Sequence, residues 1–551
     1  MSPPPSGNKN QIINMMPEND IHPLKPPLTG GDRKYLLFLV CLGIFSLFFT
    51  MGARSLENKD SVRFAEVSRE ILEYNDWILL RLGGEIYPDK PALHFWIIAG
   101  LYKLFGISPL VARIPEAVAG FCGILIIFFF TRRALGSSQT AFLAAVILLS
   151  SYGYFFWARR TRIDIELAVF YSMSLVFFYY GIETQNRMRQ ALWYAGFWIS
   201  TGLAFMCKGP VAFTNLAVVI SYSIYIVRRR AGRKIGPGLL AITSPLVTLP
   251  ILPWVVPLVR HPEFAGFMEA YHKTVIMHRG FSFFTYFYDF PIRLFPASPF
   301  FFLGVWGFFR FRKQLKENRG LVFILLWVGV YVFILHLTSG KNARYLLPIH
   351  LPVSMAAAWA ITLYLKKYPV KFGRFMWWND RIFLTGAIAG IFLPLAFAYY
   401  FKVSLLKPLP YILCLGLAIF LIRKFIPLKA AGLFLSFVMI LVSIEVADGI
   451  IDGKAADYRA LSLTLQKVGI APEEVVFYQC YRGGRANVAI GYYYNKVIAC
   501  SNDFEKLSDN PKIRGVVAIR NSVQELKSWD RFAPRYQVIP MSDDFLILLK
   551  K

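Results

Sequence analysis

The chain has 551 residues, of which 56% are hydrophobic and 17% aromatic, while only 17% are charged. A soluble protein of this size would carry about a quarter charged residues, so the composition excludes an ordinary soluble globular protein and indicates a polytopic membrane protein. Lys and Arg number 61 against 33 Asp and Glu, a net charge of +28. In a membrane protein this excess indicates loops facing anionic lipid rather than nucleic acid, which we do not expect as a partner.

Apolar runs of about 20 residues divide the chain into three parts. Residues 1–34 are polar and Pro-rich and read as a disordered cytoplasmic tail; 35–449 form the transmembrane domain, with external loops at 52–109 and 258–290; and 450–551 form a separate domain. The sequence thus predicts a polytopic α-helical membrane protein of about 13 transmembrane helices with a C-terminal soluble α/β domain. The spans lie near 35–52, 110–131, 138–157, 163–182, 189–207, 209–227, 238–258, 290–309, 320–338, 345–365, 382–401, 408–423 and 430–448.

The first external loop is too polar for hydrocarbon and too apolar for a solvated tail. Its apolar spacing from Asp60 to Tyr74 favours a surface helix, on which Asp60 and Arg63 are neighbours at i, i+3. Gly83-Gly84 predicts a turn, and the Pro-flanked pair at 88–91 predicts a stiff corner. A membrane-surface helix with Asp60 as its N-cap is the simpler alternative for this stretch.

One set of loops, which includes 228–234 and 310–319, is densely basic and is therefore predicted to be cytoplasmic. Several other cations lie beside span ends on the opposite side. Snorkelling to the interface would explain any one of them, but together they resemble a receptor for phosphate. Carboxylates are interleaved with them, and the 208–210 corner joins two spans. The cations are Lys90, Arg159, Arg160, Arg162, Lys208, Lys341 and Arg344, and the carboxylates are Asp60, Glu66, Asp89, Asp164 and Glu166.

These residues lie in motifs that resemble a known family. The motifs are 60–70 (DSVRFAEVSRE), 87–91 (YPDKP), 162–164 (RID), 202–211 (GLAFMCKGPV) and 341–348 (KNARYLLP). As a set they resemble the GT-C membrane glycosyltransferases of the protein O-mannosyltransferase superfamily and, within it, the 4-amino-4-deoxy-L-arabinose transferase branch. Ser61 departs from the family pattern, which has Glu at this position.

The resemblance implies an inverting transferase in the bacterial inner membrane. The odd number of spans and the basic bias of alternate loops predict a cytoplasmic N-terminus and a periplasmic C-terminal domain. The transferase would move an aminoarabinose-like sugar from a polyprenyl phosphate donor to lipid A or another surface acceptor at the periplasmic face, with membrane lipids around it. The implied catalytic residues are Asp60 and Asp164. The implied donor-phosphate ligands are Arg63, Lys90, Lys208, Lys341, Arg344 and Tyr345, and further substrate contacts are Glu66, Tyr87, Asp89 and Arg162.

Three other functions stay open at this point. A related enzyme could transfer a hexose to a protein or glycan hydroxyl. A lipid-linked sugar flippase or transporter would also have many spans, but it should show ionisable residues at mid-membrane, whereas these charges gather at one rim. A non-catalytic scaffold does not explain the dense charges of the first external loop.

No cofactor is fixed by the sequence. The loop 257–290 carries His261, His272 and His278 beside carboxylates, so a divalent metal with His278 as a ligand is a candidate, although the spacing matches no compact metal motif.

After residue 448 the sequence pattern predicts a helix at 457–468 and strands at 475–479, 488–494, 497–499, 515–519 and 545–549. Cys480 and Cys500 lie in this region, as a disulfide or as free thiols.

The orientation can be tested by cysteine labelling in a background without native Cys. We expect a membrane-impermeant reagent to label cysteines placed at Glu85 and Glu505 in intact cells, because both lie on the predicted external side. Cysteines at Gly232 and Glu317, in the basic loops, should stay unlabelled. Labelling at Gly232 from outside would contradict the predicted topology and divide the proposed site between two faces.

Overall fold

The computed structural model describes residues 30–56, 59–228, 236–275, 285–310, 318–338, 342–367, 369–400, 408–425, 429–451, 455–479, 486–524, 529–541 and 545–551, with 402, 404, 406 and 526. Helices make up most of the first 451 residues. The first half contains α1 (Gly30–Phe48), α2 (Lys59–Tyr74), α3 (Leu93–Phe105), α4 (Ile114–Leu135), α5 (Ser138–Ser150), α6 (Tyr152–Trp157), α7 (Ile163–Glu183), α8 (Arg187–Lys208), α9 (Asn215–Arg228), α10 (Pro237–Ile242), α11 (Leu252–Val259) and α12 (Phe264–Val275).

The second half of the helical region is built in the same way, from helices joined by short connections. It contains α13 (Thr285–Arg293), α14 (Ala297–Arg310), α15 (Arg319–Leu337), α16 (Leu347–Lys367), α17 (Pro369–Tyr400), α18 (Leu409–Phe425) and α19 (Gly432–Ile451). Short 3-10 helices connect them at Val111–Arg113, Gly209–Thr214, Ser244–Thr248, Ala343–Leu346 and Lys429–Ala431. Each stretch predicted as a span contains helix.

Within the described residues, five segments are long and apolar enough to cross a membrane, or up to seven if each of two bent helix pairs is one span. One of the five, Arg187–Arg228, holds the two helices α8 and α9, which are joined by the 3-10 helix Gly209–Thr214. Asn215 Nδ2, at the start of α9, donates a hydrogen bond of 2.8 Å to Thr201 Oγ1 in α8, so the chain bends back at this connection. This agrees with the corner predicted at 208–210, and the total of 13 spans stays a prediction.

The helical core is made of buried side chains from helices far apart in sequence. α5 is buried from Thr140 to Ser150, and its apolar neighbours come from α1, α4, α16 and α19. Glycines allow close approach in this core: the Tyr154 hydroxyl lies over α4 and donates to the carbonyl of Gly120 at 2.7 Å. A Cβ at Gly123 would overlap that hydroxyl.

Residues 52–109, predicted as the first external loop, fold as a compact unit. α2 is followed by an antiparallel hairpin, β1 (Arg81–Leu82) and β2 (Glu85–Ile86), whose turn residues Gly83 and Gly84 both have positive φ. Two positive φ values in a two-residue turn favour glycine, so the predicted turn is confirmed. The helix predicted from Asp60 to Tyr74 is also confirmed.

The C-terminal region contains a five-stranded sheet in the order β4-β3-β5-β7-β6. β3 (Val475–Tyr478) pairs in parallel with β4 (Ala499–Ser501) and β5 (Gly515–Ile519), while β7 (Phe545–Lys550) is antiparallel to β5 and β6 (Tyr536–Pro540). The helices are α20 (Ala455–Lys467), α21 (Ala486–Tyr494), α22 (Phe504–Asp509), α23 (Arg520–Gln524) and α24 (Trp529–Phe532), with 3-10 turns at Pro472–Glu474 and Ala533–Arg535. Cys500 is disulfide-bonded, and its partner lies outside the described residues.

The strand predicted at 488–494 is wrong, because this segment is helix α21. Its β-branched and aromatic residues favour a strand locally, but two apolar surfaces compete for them. Val488, Ala489 and Tyr492 pack into the core formed by the first external loop, while Ile490 and Tyr494 pack under the sheet. A helix can serve both surfaces because residues three and four apart share a face.

Helix α21 therefore joins the C-terminal region to the first external loop. The Tyr493 hydroxyl accepts the backbone N–H of Leu56 at 2.7 Å, and the hydroxyls of Tyr492 and Tyr102 lie 3.2 Å apart. Lys496 Nζ lies 3.7 Å from a carboxylate oxygen of Glu73 on α2. The C-terminal region thus supports the outer side of α2.

The packing of α4 can be tested with one methyl group. We expect Gly123→Ala to lower the thermal unfolding midpoint of the detergent-purified chain, because the new Cβ displaces Tyr154 and breaks its hydrogen bond to Gly120; overpacking of this kind costs about 1–3 kcal/mol. Gly329→Ala on α15 is the matched control, since no atom lies within 4 Å of its Cβ position. In a Tyr154→Phe background the penalty should shrink, and an unchanged penalty there would contradict this origin.

Candidate active site

Asp60 stands in the first turn of α2 and binds three guanidinium groups. Its Oδ1 lies 2.9 Å from an Nη atom of Arg63, as the i, i+3 spacing predicted. Its Oδ2 lies 2.5 Å from Arg162 and accepts a hydrogen bond of 2.9 Å from Arg344. The three arginines come from α2, from the residue before α7 and from the 3-10 helix before α16. One carboxylate thus joins three distant parts of the chain.

Asp164 forms the deeper half of the same arrangement. It lies in the first turn of α7 with its side chain only 3% exposed, and it is paired with Lys208 at the end of α8. Arg344 Nε lies 3.8 Å from its Oδ2, so Arg344 contacts both Asp60 and Asp164. The ring of Tyr345 lies beneath the ammonium group of Lys208, 4.3 Å from Nζ to the ring centroid.

The corner predicted at 88–91 supplies the more exposed half of the site. Lys90 Nζ donates to Asp89 Oδ1 at 2.8 Å and to the Asp89 carbonyl at 2.9 Å, and the Tyr87 hydroxyl donates to Asp89 Oδ2 at 3.3 Å. Arg63 lies 3.8 Å from Asp89 and over the Tyr87 ring. Arg63 therefore connects the pair at the corner to Asp60.

We name these charged side chains the rim cluster. Its members are Asp60, Arg63, Asp89, Lys90, Arg162, Asp164, Lys208 and Arg344. Five cations thus surround three carboxylates, an excess of two positive charges. Within the described part of the chain, Nε of Arg63 and Nε of Arg344 are buried without a hydrogen-bond acceptor. Buried donors of this kind normally find a partner, and the oxygens of a phosphate group would provide one.

The charges of the rim cluster determine the protonation of its outer carboxylates. Burial alone would raise the pKa of Asp60, but Arg162, Arg63 and Arg344 together hold it below the ordinary value. The pKa of Asp89 is likewise low, because Lys90 and Arg63 outweigh the effect of burial. Both groups are therefore ionised at neutral pH. Each is a weak base, and each is suited to orienting neighbouring cations.

Two predicted site residues lie outside the described part of the chain, and a third lies apart from the cluster. Lys341 and His278 fall in the undescribed ranges 339–341 and 276–284. Glu66 is fully buried and forms two hydrogen bonds with Arg69, at 2.8 and 2.9 Å, so Arg69 neutralises it. His261 lies 3.4 Å from Asp76, away from the cluster.

Arg159 and Arg160, grouped with the cluster in the sequence, serve a different network. Arg159 donates to the carbonyls of Ser46 and Phe49, which satisfies the C-terminal end of α1. Arg160 donates to Glu445 of α19 at 2.8 Å. These contacts fix where the chain leaves α1 for the external loop.

Sequence reasoning missed the groups that orient the cluster. Asn342 caps the 3-10 helix Ala343–Leu346 by accepting the backbone N–H of Arg344 at 3.2 Å. Trp157 lies beneath Arg162, 4.8 Å from the guanidinium carbon to the ring centroid. Asn before a short helix is a recognisable capping signal, whereas the position of Trp157 depends on the break between α5 and α6.

The fold and the rim cluster define a helical, GT-C-like membrane protein. The family model described as "Dolichyl-phosphate-mannose-protein mannosyltransferase" matches residues 89–254, which include Asp89, Lys90, Arg162, Asp164 and Lys208. The crystal structure of ArnT from Cupriavidus metallidurans bound to undecaprenyl phosphate superimposes with a TM-score of 0.70 at 19% identity, covering 93% of this chain and 97% of that one. This likeness shows the shared fold.

The chain is also similar in sequence to curated proteins named as arabinosyl transferases. An undecaprenyl phosphate-alpha-4-amino-4-deoxy-L-arabinose arabinosyl transferase of Pseudomonas fluorescens is 28% identical over 328 residues, 58% of this chain and 54% of the relative. One from Proteus mirabilis is 24% identical over 329 residues, 58% of each chain. The matches span little more than half the length of these relatives. The resemblance to ArnT and to the protein O-mannosyltransferase superfamily is confirmed.

A buried carboxyl group links α2 to the hairpin beside the rim cluster. Glu70 accepts the backbone N–H groups of Gly83 at 2.5 Å and Gly84 at 3.0 Å. Burial, assisted by the nearby Glu66 carboxylate, raises the pKa of Glu70 to about 7. An unfolded Glu titrates near about 4.3. The folded chain therefore binds more protons between these values, and its stability falls as pH rises through this window.

We expect Glu70→Gln to remove this part of the pH dependence. The thermal midpoint of the wild-type chain should fall from about pH 5 to pH 8, whereas that of Glu70→Gln should fall less, since the amide is neutral throughout and its oxygen still accepts from the hairpin. Glu85→Gln, an exposed change in the same hairpin, should follow the wild type. Superimposable curves for wild type and Glu70→Gln would contradict the assignment.

Proposed function

We propose that this chain is an inverting glycosyltransferase that uses a sugar carried on a polyprenyl phosphate, with the rim cluster as its active site. The observation that carries the proposal is the excess of two positive charges in a half-buried cluster with buried, unsatisfied guanidinium donors. Such a cluster suits an anion of charge about −2 more than any neutral ligand. The names of the curated relatives supply the class of donor, an undecaprenyl phosphate sugar.

The proposed chemistry breaks the bond between the sugar C1 atom and the phosphate oxygen. The oxygen keeps the electron pair, so negative charge develops on the phosphate while the acceptor oxygen attacks C1 from the opposite face. Lys90, Arg63, Lys208 and Arg344 would stabilise this charge, and Lys341 would join them. Lys90 has three donor hydrogens and uses two on Asp89, so one remains for the phosphate.

Asp60 and Asp164 would act by orienting cations. Asp60 is a weak base because its pKa is low, and a general base works best with a pKa near the operating pH. An acceptor that is already anionic, such as a phosphate of lipid A, needs no deprotonation. The low pKa of Asp60 therefore favours transfer to an acceptor phosphate over transfer of a hexose to a protein or glycan hydroxyl. The pocket would be lined by Tyr345, Tyr87, Asp89 and Arg162. Its carboxylates would bind the amino group of an amino sugar.

We also propose the orientation implied by this site. The rim cluster would face the non-cytoplasmic side of a bacterial inner membrane, with 1–34 in the cytoplasm and 450–551 outside. The cluster draws on the start of α2, the corner before α3, the start of α7, the end of α8 and the 3-10 helix before α16, and all five belong to one side in the predicted topology. Membrane lipid would surround the helices, and the polyprenyl chain would lie along them.

Transfer can be measured by mass spectrometry of lipid A and surface glycans from a deletion strain carrying each variant at matched membrane levels. Asp60→Asn, Lys90→Ala and Arg344→Ala should each lose at least about tenfold in transfer, because a charged hydrogen bond contributes about 1.5–3 kcal/mol. Arg81→Ala is the control: this cation of the same external loop is bound to Glu263. Arg312→Ala is a second control in a predicted cytoplasmic loop.

The outcomes separate the possible roles of these cations. Small and equal losses for Lys90→Ala, Arg344→Ala and Arg81→Ala would leave the rim cations as interface anchors. An unchanged glycan and lipid A profile in the deletion strain, with no transfer from synthetic undecaprenyl phosphate sugar by the purified chain, would reject the proposed donor. Near-normal turnover by Asp60→Asn would reject Asp60 as the group that holds the cations.

A further inference from the structure

A second polar cluster lies beneath the rim cluster and is closed to solvent. It consists of His94 on α3, Glu116 in the first turn of α4 and Glu166 in the first turn of α7. Their exposed fractions are 0%, 0% and 3%. None of these side chains has a part in the proposed transfer. They come from three separate helices, so no local spacing in the sequence predicts that they lie together.

The three side chains converge on one another. His94 Nδ1 lies 3.0 Å from Glu166 Oε2, and His94 Nε2 lies 3.7 Å from Glu116 Oε1. One ligand atom from each residue lies within 4.8 Å of the other two. The Glu116 oxygen that faces His94 also accepts the backbone N–H of Arg162 at 2.8 Å, an outer contact of the kind that orients metal-binding carboxylates.

Each residue also presents a polar atom that the protein leaves unsatisfied. Within the described residues, His94 Nε2, Glu116 Oε2 and Glu166 Oε1 are buried and have no hydrogen-bond partner. Two carboxylates removed from water without matching cations are strongly unfavourable. A single histidine can offset one charge at most, and only when it is protonated.

We propose that His94, Glu116 and Glu166 bind one divalent transition-metal ion, with Zn²⁺ the best match. Imidazole nitrogen with carboxylate oxygen is a donor set that Zn²⁺ accepts. Zinc–ligand distances of about 2.0–2.2 Å place tetrahedral ligand atoms about 3.4 Å apart, so the ligand atoms, which lie within 4.8 Å of one another, would move closer together around the ion. Cys207 Sγ, 4.0 Å from Glu166 Oε2 and fully buried, is the nearest candidate for a fourth ligand.

The surroundings suit a structural ion rather than one that exchanges with substrate. The rings of Phe64 and Phe95 lie edge-on to the His94 ring, with centroids 5.5 and 5.4 Å away. Glu166 follows Asp164 by two residues on the first turn of α7, and Glu116 binds the backbone of Arg162. The ion would therefore fix the turn that carries two members of the rim cluster. This inference does not depend on the proposed function.

The metal content of the full-length chain, purified in detergent, tests the proposal without any activity assay. The protein is stripped with EDTA, dialysed against ZnCl₂ or MnCl₂, freed of loose ions by gel filtration and measured by inductively coupled plasma mass spectrometry. We expect one Zn²⁺ per chain for the wild type, and a thermal midpoint that falls on stripping and recovers with Zn²⁺. Glu116→Gln and Glu166→Gln should lose the ion, and their midpoints should no longer respond to EDTA.

The matched control is His350→Gln, another histidine buried in a helix, on α16; it should bind one ion like the wild type. A wild-type chain that binds neither metal, with a midpoint indifferent to EDTA, would overturn the proposal and leave a shared proton as the account of the cluster. Equal metal content in wild type and both Glu variants would also overturn it. The wild-type measurement decides the matter even if a variant fails to fold.

Discussion

The attachment of three arginines to one carboxylate is the constraint on which the site depends. Asp60 contacts Arg63, Arg162 and Arg344 at 2.5 to 2.9 Å. Three guanidinium groups gathered around one point would repel one another strongly without the negative charge of this carboxylate. Asp60 also lies in the first turn of α2, where the helix dipole favours a negative charge. The carboxylate is therefore stabilised as an anion from several directions. Its ionised state keeps three cations directed toward one another instead of toward solvent or lipid.

A gradient of burial follows from the same arrangement. The side chains of Asp164 and Arg162 are 3% and 5% exposed, whereas those of Asp60, Lys90 and Arg344 are 21–24% exposed. An anionic ligand would meet the outer cations first and the inner pair of Lys208 and Asp164 last. Electrostatic attraction strengthens as water is excluded, so the groups nearest the buried end would contribute most once a phosphate displaces solvent.

The sequence predicted the helices well because each is encoded locally. Runs of apolar residues, Gly83-Gly84 and the i, i+3 pair of Asp60 and Arg63 are short-range signals, and the structure agrees with each. The contacts of Asp60 with Arg162 and Arg344 cross 102 and 284 residues. No periodicity encodes such contacts; they follow from the packing of α2, α7 and α16. The resemblance placed these residues in one site, while their partners came only from the structure.

The differences from the sequence-based expectations have a common physical origin in packing between distant elements. The segment 488–494 has strand-like residues, yet it is helical because the first external loop and the sheet require apolar side chains on two sides. The sequence motif predicts Glu66 as a substrate contact, whereas in the structure its position on the helix turns it toward Arg69 and toward Gly491 of α21.

Residues of one motif on a helix point in different directions. Asp60 and Arg63 point to the rim cluster, while Glu66, one turn later, supports the surface that receives the C-terminal region. The motif thus serves the site with one face of α2 and the attachment of that region with another, which ties the geometry of the rim cluster to the docking of a segment more than 400 residues away in sequence.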